Sequence, residues 1–227
     1  MSDVSVPLSP VPARPLLRDE ALTRLRAAIV EGDLPPGAVV KDTELAARLG
    51  LTVAPVRAAL ARLVDEGLVE TKPQSHTRVT PCADEQVRDA GVVLRAMHEL
   101  ATVAAVARLT DDDVAAMRAA NDRFAAAVDA ADVESAMTAD DQLHGVLLGR
   151  CANTAVVATA ERFTPVVRRL ERQRFGSAHG RDAVALHARL IDACSARDAD
   201  AAVAVTTEIW TALLSELTFP LTQETAR

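Results

Sequence analysis

The sequence predicts a mainly α-helical fold: an N-terminal winged helix-turn-helix followed by an antiparallel six-helix bundle. Three observations lead there. Residues 42–62, DTELAARLG and then LTVAPVRAALAR, read as two short helices around a glycine turn. Two β-prone runs, Leu68-Val69-Glu70-Thr71 and Thr77-Arg78-Val79-Thr80, come next with a polar turn between them. From Asp84 onward apolar residues recur at helical spacing, the breaks are short and no strand signal remains.

Taken in order, residues 1–15 are rich in Pro and Ser and read as a disordered tail without an apolar signal core. Leu22, Leu25, Ala28 and Ile29 mark a first helix from Leu16 to Val30, stopped at Gly32. Pro35-Pro36-Gly37 makes a rigid turn. Asp42 reads as the N-cap of the second helix, with Glu44 in the first turn where the dipole favours negative charge. Leu45, Ala46 and Leu49 give this helix a small apolar face, and Gly50 suits the positive φ of a helix C-terminus. Thr52 caps the third helix and Pro55 fits its first turn, where backbone donors are unpaired anyway. Val56, Ala59, Leu60 and Leu63 bury one side of it, and Gly67 ends it. The winged domain spans 16–80, Pro81 closes it, and 81–84 is a linker. Helices then cover 85–109, 111–130, 132–150, 154–174, 181–196 and 199–217. They make an all-helical domain at 85–218, followed by a C-terminal tail at 219–227.

Composition narrows the class. Hydrophobic residues are 49% of 227, aromatics only 2%, so the core is built from Ala, Val and Leu. No apolar run approaches the ~20 residues of a membrane span. Cys82, Cys151 and Cys194 form neither a metal motif nor an even disulfide set, which predicts reduced thiols in a cytoplasmic protein. The net charge of −7 is uneven: residues 16–80 carry nine basic and nine acidic side chains, so the acidity lies in the C-terminal two-thirds. A head so balanced must gather its cations on one face to hold a polyanion.

LRAAIVEGDLPPGAVVKDTELAARLGLTVAPVRAALARLVDEGLV carries, in order, a first helix, G-x-L-x-P-G, L-A-x-x-L-G, P-V-R-x-A-L and L-x-x-x-G-L-V. In these motifs the chain resembles GntR-family transcriptional regulators of the FadR-like group with an FCD ligand-binding domain. Arg95 and Glu99 fall where the family shows R-x-x-L-E. Asp140-Asp141-Gln142-Leu143-His144 fits its D-x-x-x-H, and His187 fits its later E-H-x-x-I histidine. The resemblance implies a homodimer, a palindromic double-stranded DNA operator, a small effector and no membrane. It also marks three departures. Thr52, Val53 and Ala54 replace the usual S-R-T, removing an arginine that members use on bases. Pro73, Gln74, Ser75 and His76 occupy a wing tip that usually carries glycine. Ile209, between Glu208 and Trp210, stands where the family places a fourth metal-binding histidine.

These placements give the candidate sites. Thr43, Thr52, Val53, Ala54, Pro55 and Arg57 are the candidate DNA contacts at the recognition helix. Thr52 suits a phosphate or base, Val53 and Ala54 a thymine methyl, and Arg57 a phosphate or guanine edge. Lys72, His76, Thr77 and Arg78 are the wing candidates; Arg24, Arg26 and Arg48 are plausible phosphate contacts or plain surface charge. Asp140 and His144, four apart, share one helical face. With His187 they suit a divalent metal such as Zn, Mn or Ni, its open positions filled by water or an effector carboxylate. The bland reading is a hydrogen-bonded polar pocket. Arg95, in the apolar run Val92, Val93, Leu94, Met97, Leu100, reads as a buried guanidinium that binds the effector's carboxylate, with Glu99 at i+4 as its plain alternative. His98, His179 and Asn153 read as surface, loop and helix-cap residues.

The leading reading is a ligand-responsive repressor released by a small organic acid. Two alternatives compete. Two histidines and a carboxylate also form the facial triad of non-haem iron oxygenases, which would make a helical-bundle enzyme; a winged helix is then unexplained. A regulator without ligand control is the other.

Overall fold

The computed structural model describes residues 16–72, 76–81, 84–175, 179–215 and 217. The tails assigned to 1–15 and 219–227, the wing turn 73–75 and Cys82 in the linker lie outside them. Leu17–Glu31 is α1, Val39–Val40 β1, Asp42–Leu49 α2, Val53–Asp65 α3, Val69–Lys72 β2 and His76–Val79 β3. Six helices follow: α4 (Asp84–Val106), α5 (Asp111–Asp129), α6 (Val133–Arg150), α7 (Thr154–Phe175), α8 (His179–Ser195) and α9 (Ala199–Leu214).

The head is a winged helix-turn-helix with one strand more than the sequence suggests. The sheet has three strands in the order β1-β3-β2, all antiparallel, with Val39 opposite Arg78 and Val69 opposite Val79. The two residues of β1 carry no local signal; they become a strand only because β3 offers them an edge. Ala21, Leu25 and Ile29 of α1 pack on Val56, Ala59, Leu60 and Leu63 of α3. Gly50 takes φ +67° and turns the chain between α2 and α3, while Leu51 N–H returns to Ala46 O at 2.9 Å. Two expected caps differ. Asp42 is the first residue of α2 rather than its N-cap, and Thr52 holds the N-cap position of α3 without a side-chain hydrogen bond.

In the bundle the local signals place the helix ends well. Thr110 and Asp113 form a reciprocal capping box on α5. Asp132 and Asp198 accept from Ser135 and Ala201 N–H, and Asn153 from Ala155 and Val156 N–H at 3.1 and 3.2 Å. Gly91 lets α4 and α9 touch, because a Cβ there would collide with the Leu214 side chain. His179 is the first residue of α8, not a loop residue. Cys151 and Cys194 are free and buried, and burial pushes the Cys194 thiol up to about 11.

Head and bundle share a core. One apolar cluster joins Leu63, Leu68 and Val79 of the head to Val87, Ala90 and Leu94 of α4, Val166 and Val167 of α7 and Leu213 of α9. Residues Pro165 to Arg169 are buried consecutively, because α7 is enclosed by the bundle on one side and α1 on the other. Two of its arginines fasten the head. Arg162 donates to Asp65 O, at the C-terminus of α3, and Arg169 donates to Thr80 O just past the wing.

Candidate functional site

The candidate recognition surface is exposed. Thr43, Thr52, Ala54 and Arg57 are open to solvent, with Val53 and Pro55 half-buried beside them. Arg57 is not idle: Nη2 and Nε donate to Asp42 Oδ2 at 2.7 and 3.0 Å. Those hydrogen bonds hold the Asp42 carboxyl below its usual range. The pair leaves the guanidinium largely exposed on α3. Arg26 is committed elsewhere. It forks onto the buried Glu66 at 2.6 and 2.9 Å, tying α1 to the end of α3. Arg24 pairs with Glu20. In the wing, Thr77 and Arg78 belong to the central strand β3, and Arg78 pairs with Glu70 of β2. Lys72 and His76 face each other in the ladder; their side chains lie outside the described residues.

The second site is a cavity of about 1000 Å³ between head and bundle. Its bundle wall includes His98, Asp140, His144, Arg168, Glu171, His187 and Trp210, and its head wall Arg26, Arg62, Asp65 and Glu66. Asp140 and His144 come from one face of α6 and His187 from α8. Asp140 Oδ1 lies 3.6 Å from His144 Nε2 and 3.4 Å from His187 Nε2. One donor atom from each of the three lies within 4.8 Å of the other two.

Around that trio lies a charge cluster the sequence did not reveal. Arg168 Nη1 donates to Asp140 Oδ2 at 3.0 Å and to Glu171 Oε2 at 2.6 Å, and Nη2 donates to Asp141. Asp140 is thereby divided, one oxygen toward the imidazoles and the other held by the guanidinium. Burial works against its charge, but His144, Arg168 and His187 outweigh it and keep the carboxyl below its usual range. Glu171 goes the other way: burial pushes its carboxyl up despite Arg168. Three carboxyls thus surround one guanidinium beside two imidazoles. The donor set fits a divalent ion: two Nε2 atoms and one carboxylate oxygen converge, and the carboxylate is oriented by an outer arginine.

Two expectations about α4 are corrected. Arg95 is not buried: its side chain is 40% exposed, pairs with Glu99 at 3.6 Å and does not line the cavity. His98 is not a surface residue. It is 8% exposed and lines the cavity, its ring 5.6 Å from that of His144 and 5.2 Å from Trp210. Burial, then the facing His144, pushes its pKa down to about 3, so the imidazole is neutral. The signal was present: Leu94, His98, Ala101 and Ala105 form the buried stripe of α4, and Arg95 lies one position off it.

Comparison with known proteins decides the family. Residues 17–79 match the gntR family of bacterial regulatory proteins and residues 91–212 match the FCD domain. The chain belongs to the GntR family. It is 30% identical over 133 residues to an HTH-type transcriptional regulator in the TAR-I ttuE-ttuC' intergenic region of Agrobacterium vitis, covering 56% of this chain and 76% of the relative. It is 37% identical over 73 residues to a probable D-xylose utilization operon transcriptional repressor of Paenarthrobacter nicotinovorans, 32% of each chain. Among solved structures, E. coli McbR/YncC superposes with a TM-score of 0.78 at 20% identity, covering 90% of this chain and 98% of that one. A putative GntR regulator from Rhodococcus sp. RHA1 gives 0.68 at 18% identity, covering 88% and 96%. At those identities the likeness is one of fold. As a GntR regulator with an FCD domain, the protein is a transcriptional regulator and not an enzyme. No described helix is long and apolar enough to cross a membrane.

Proposed function

We propose that this GntR regulator is a repressor that binds a palindromic operator as a homodimer and is released by a small organic acid bound beneath its head. The observation that carries the reading is the composite cavity. Asp140, His144 and His187 at its floor and Arg62, Asp65 and Glu66 of the recognition-helix end at its roof share one space. A ligand there touches the reading head and the bundle together, so its affinity depends on how the two are set. Helix α7 supports the same linkage. Arg168 reaches the floor, while Arg162 and Arg169 hold the ends of α3 and the wing. Resemblance to a xylose-operon repressor favours repression as the sign of control.

Asp140, His144 and His187 would hold the divalent ion, with Arg168 orienting Asp140. Bound there, the ion supplies open coordination positions for an effector carboxylate. Arg62, which makes no ion pair among the described residues, lines the far end of the cavity and suits a second anionic group.

The dimer reading draws on α4. Val92, Leu100 and Val103 are 48%, 55% and 56% exposed along one outer face, with Arg95 and Glu99 between them. That face is complementary to itself. In an antiparallel crossing centred near Met97, Val92 meets the partner's Val103, and Arg95 meets the partner's Glu99. The same helix turns Leu94 and His98 toward the cavity. Two heads then reach successive major grooves about 34 Å apart.

The test is selection of bound fragments from genomic DNA with the full chain, followed by gel shifts with Zn²⁺, Mn²⁺ or Ni²⁺ and a panel of small carboxylic acids. An enriched inverted repeat, weakened by one acid, is expected. Absence of any enriched repeat would overturn the operator reading; a repeat indifferent to every metal and acid would leave a regulator without ligand control.

A further inference from the structure

We infer that His98 is a fourth nitrogen donor to the ion held by Asp140, His144 and His187, standing in for the imidazole that Ile209 displaces from α9. The inference rests on reading that trio as a metal site. His98 is more than nine-tenths buried, lines the cavity and makes no hydrogen bond among the described residues. Its contacts are with rings: it meets His144 edge-on at 89°, and its centroid separation of 5.6 Å compares with 5.1 Å between His144 and His187. A buried imidazole with no polar partner is costly, because it gives up its hydration for nothing. His98 lines the same cavity beside the three donors that lie within 4.8 Å of one another, and is not itself within that set.

The neighbouring helix explains why the donor sits on α4. Helices α4 and α9 pack along one another, and His98 touches Trp210, the residue next to Ile209. Both 98 and 209 line the same cavity. In the R-x-x-L-E pattern that Arg95 and Glu99 follow, leucine takes the place that His98 holds here. The pattern on α9 has histidine where this chain has Ile209. An imidazole on α4 thus stands in for one on the adjacent α9, and both positions line the same cavity. The resulting set, three imidazole nitrogens and one carboxylate oxygen, suits Zn²⁺, Ni²⁺ or Co²⁺ better than the oxygen-preferring Mg²⁺ or Ca²⁺.

The experiment titrates full-length protein with Co²⁺, read by its visible d–d bands, and with Zn²⁺ by calorimetry. Trp210, the only tryptophan in a chain without tyrosine, adds a fluorescence readout beside His98. The variants are His98→Leu and the double exchange His98→Leu with Ile209→His, each checked for helicity and melting temperature. His98→Leu is expected to weaken both ions by more than about tenfold, since even outer partners of a metal site are worth about 10–100-fold. It also alters the Co²⁺ bands, and the double exchange restores affinity. His98→Leu binding within about twofold of wild type with superimposable bands would overturn the inference alone. Wild-type protein that binds none of these ions would overturn the metal reading and the inference together.

Discussion

Replacing Arg168 by Met asks what the buried charge cluster is worth. The methionine keeps most of the side-chain length and removes the cation that Asp140, Asp141 and Glu171 share. Removing one partner of a buried ion pair costs about 3–5 kcal/mol, because the other charge stays buried and uncompensated. Asp141 is 61% exposed, so its loss adds little. Burial already disfavours the charged form of Glu171, so losing Arg168 costs less there than at Asp140. Asp140 remains as the main sufferer, which puts the cost near the low end, about 3 kcal/mol. For a chain of this size that lowers the melting temperature by about 6–12 °C. A divalent ion restores the missing positive charge, and at a hundredfold excess over its Kd returns about 2.7 kcal/mol. The assay is helical circular dichroism on heating, in EDTA and then with Zn²⁺. Arg168→Met melting within about 2 °C of wild type in EDTA would refute the charge-cluster argument.

Other outcomes follow from the same geometry. Arg57→Ala should weaken operator binding by about 1–3 kcal/mol per half-site in a gel-shift titration at fixed salt, with helicity unchanged. Leu100→Asp places a charge on the proposed α4 dimer face, and sizing with light scattering should give monomers and a large loss of operator affinity. Asp113, held at about 2 by Arg150 and then by Thr110, contributes stability that is complete above the ordinary carboxylate value of 3.8 and lost as pH falls through about 2. Asp113→Asn should therefore melt lower than wild type at pH 7, with the difference closing by pH 2. An offset that persists unchanged at pH 2 would show that the carboxylate's charge is not what matters.

The parts of this fold that sequence reading recovers are those governed by neighbours along the chain. Gly50, the Thr110–Asp113 box and the caps at Asp132 and Asp198 act within one turn, so their residue types announce them. Strand β1 is invisible because two residues acquire a strand conformation only from β3. Arg168 and Arg169 look like surface charge, since α7 is buried consecutively over residues 165–169 and there loses the period that separates a wet face from a dry one. The trio Asp140, His144 and His187 was legible through spacing and resemblance, but the partners that tune it, Arg168 and Glu171, are brought in by helix packing alone. On α4 the error was one of phase: counting Arg95 into the apolar run, instead of following Leu94, His98 and Ala101, exchanged an outward residue for an inward one.

The central claim is that occupancy of the cavity under the head sets the affinity of the head for DNA. The direct measurement is fluorescence anisotropy of a labelled operator fragment, titrated with full-length protein at fixed salt. It is made without ligand and again with metal and a carboxylic acid, saturation being followed through Trp210 emission. Saturation is expected to weaken operator binding, and the operator to weaken ligand binding by the same factor. Saturation of the Trp210 signal with no change in operator affinity would contradict it.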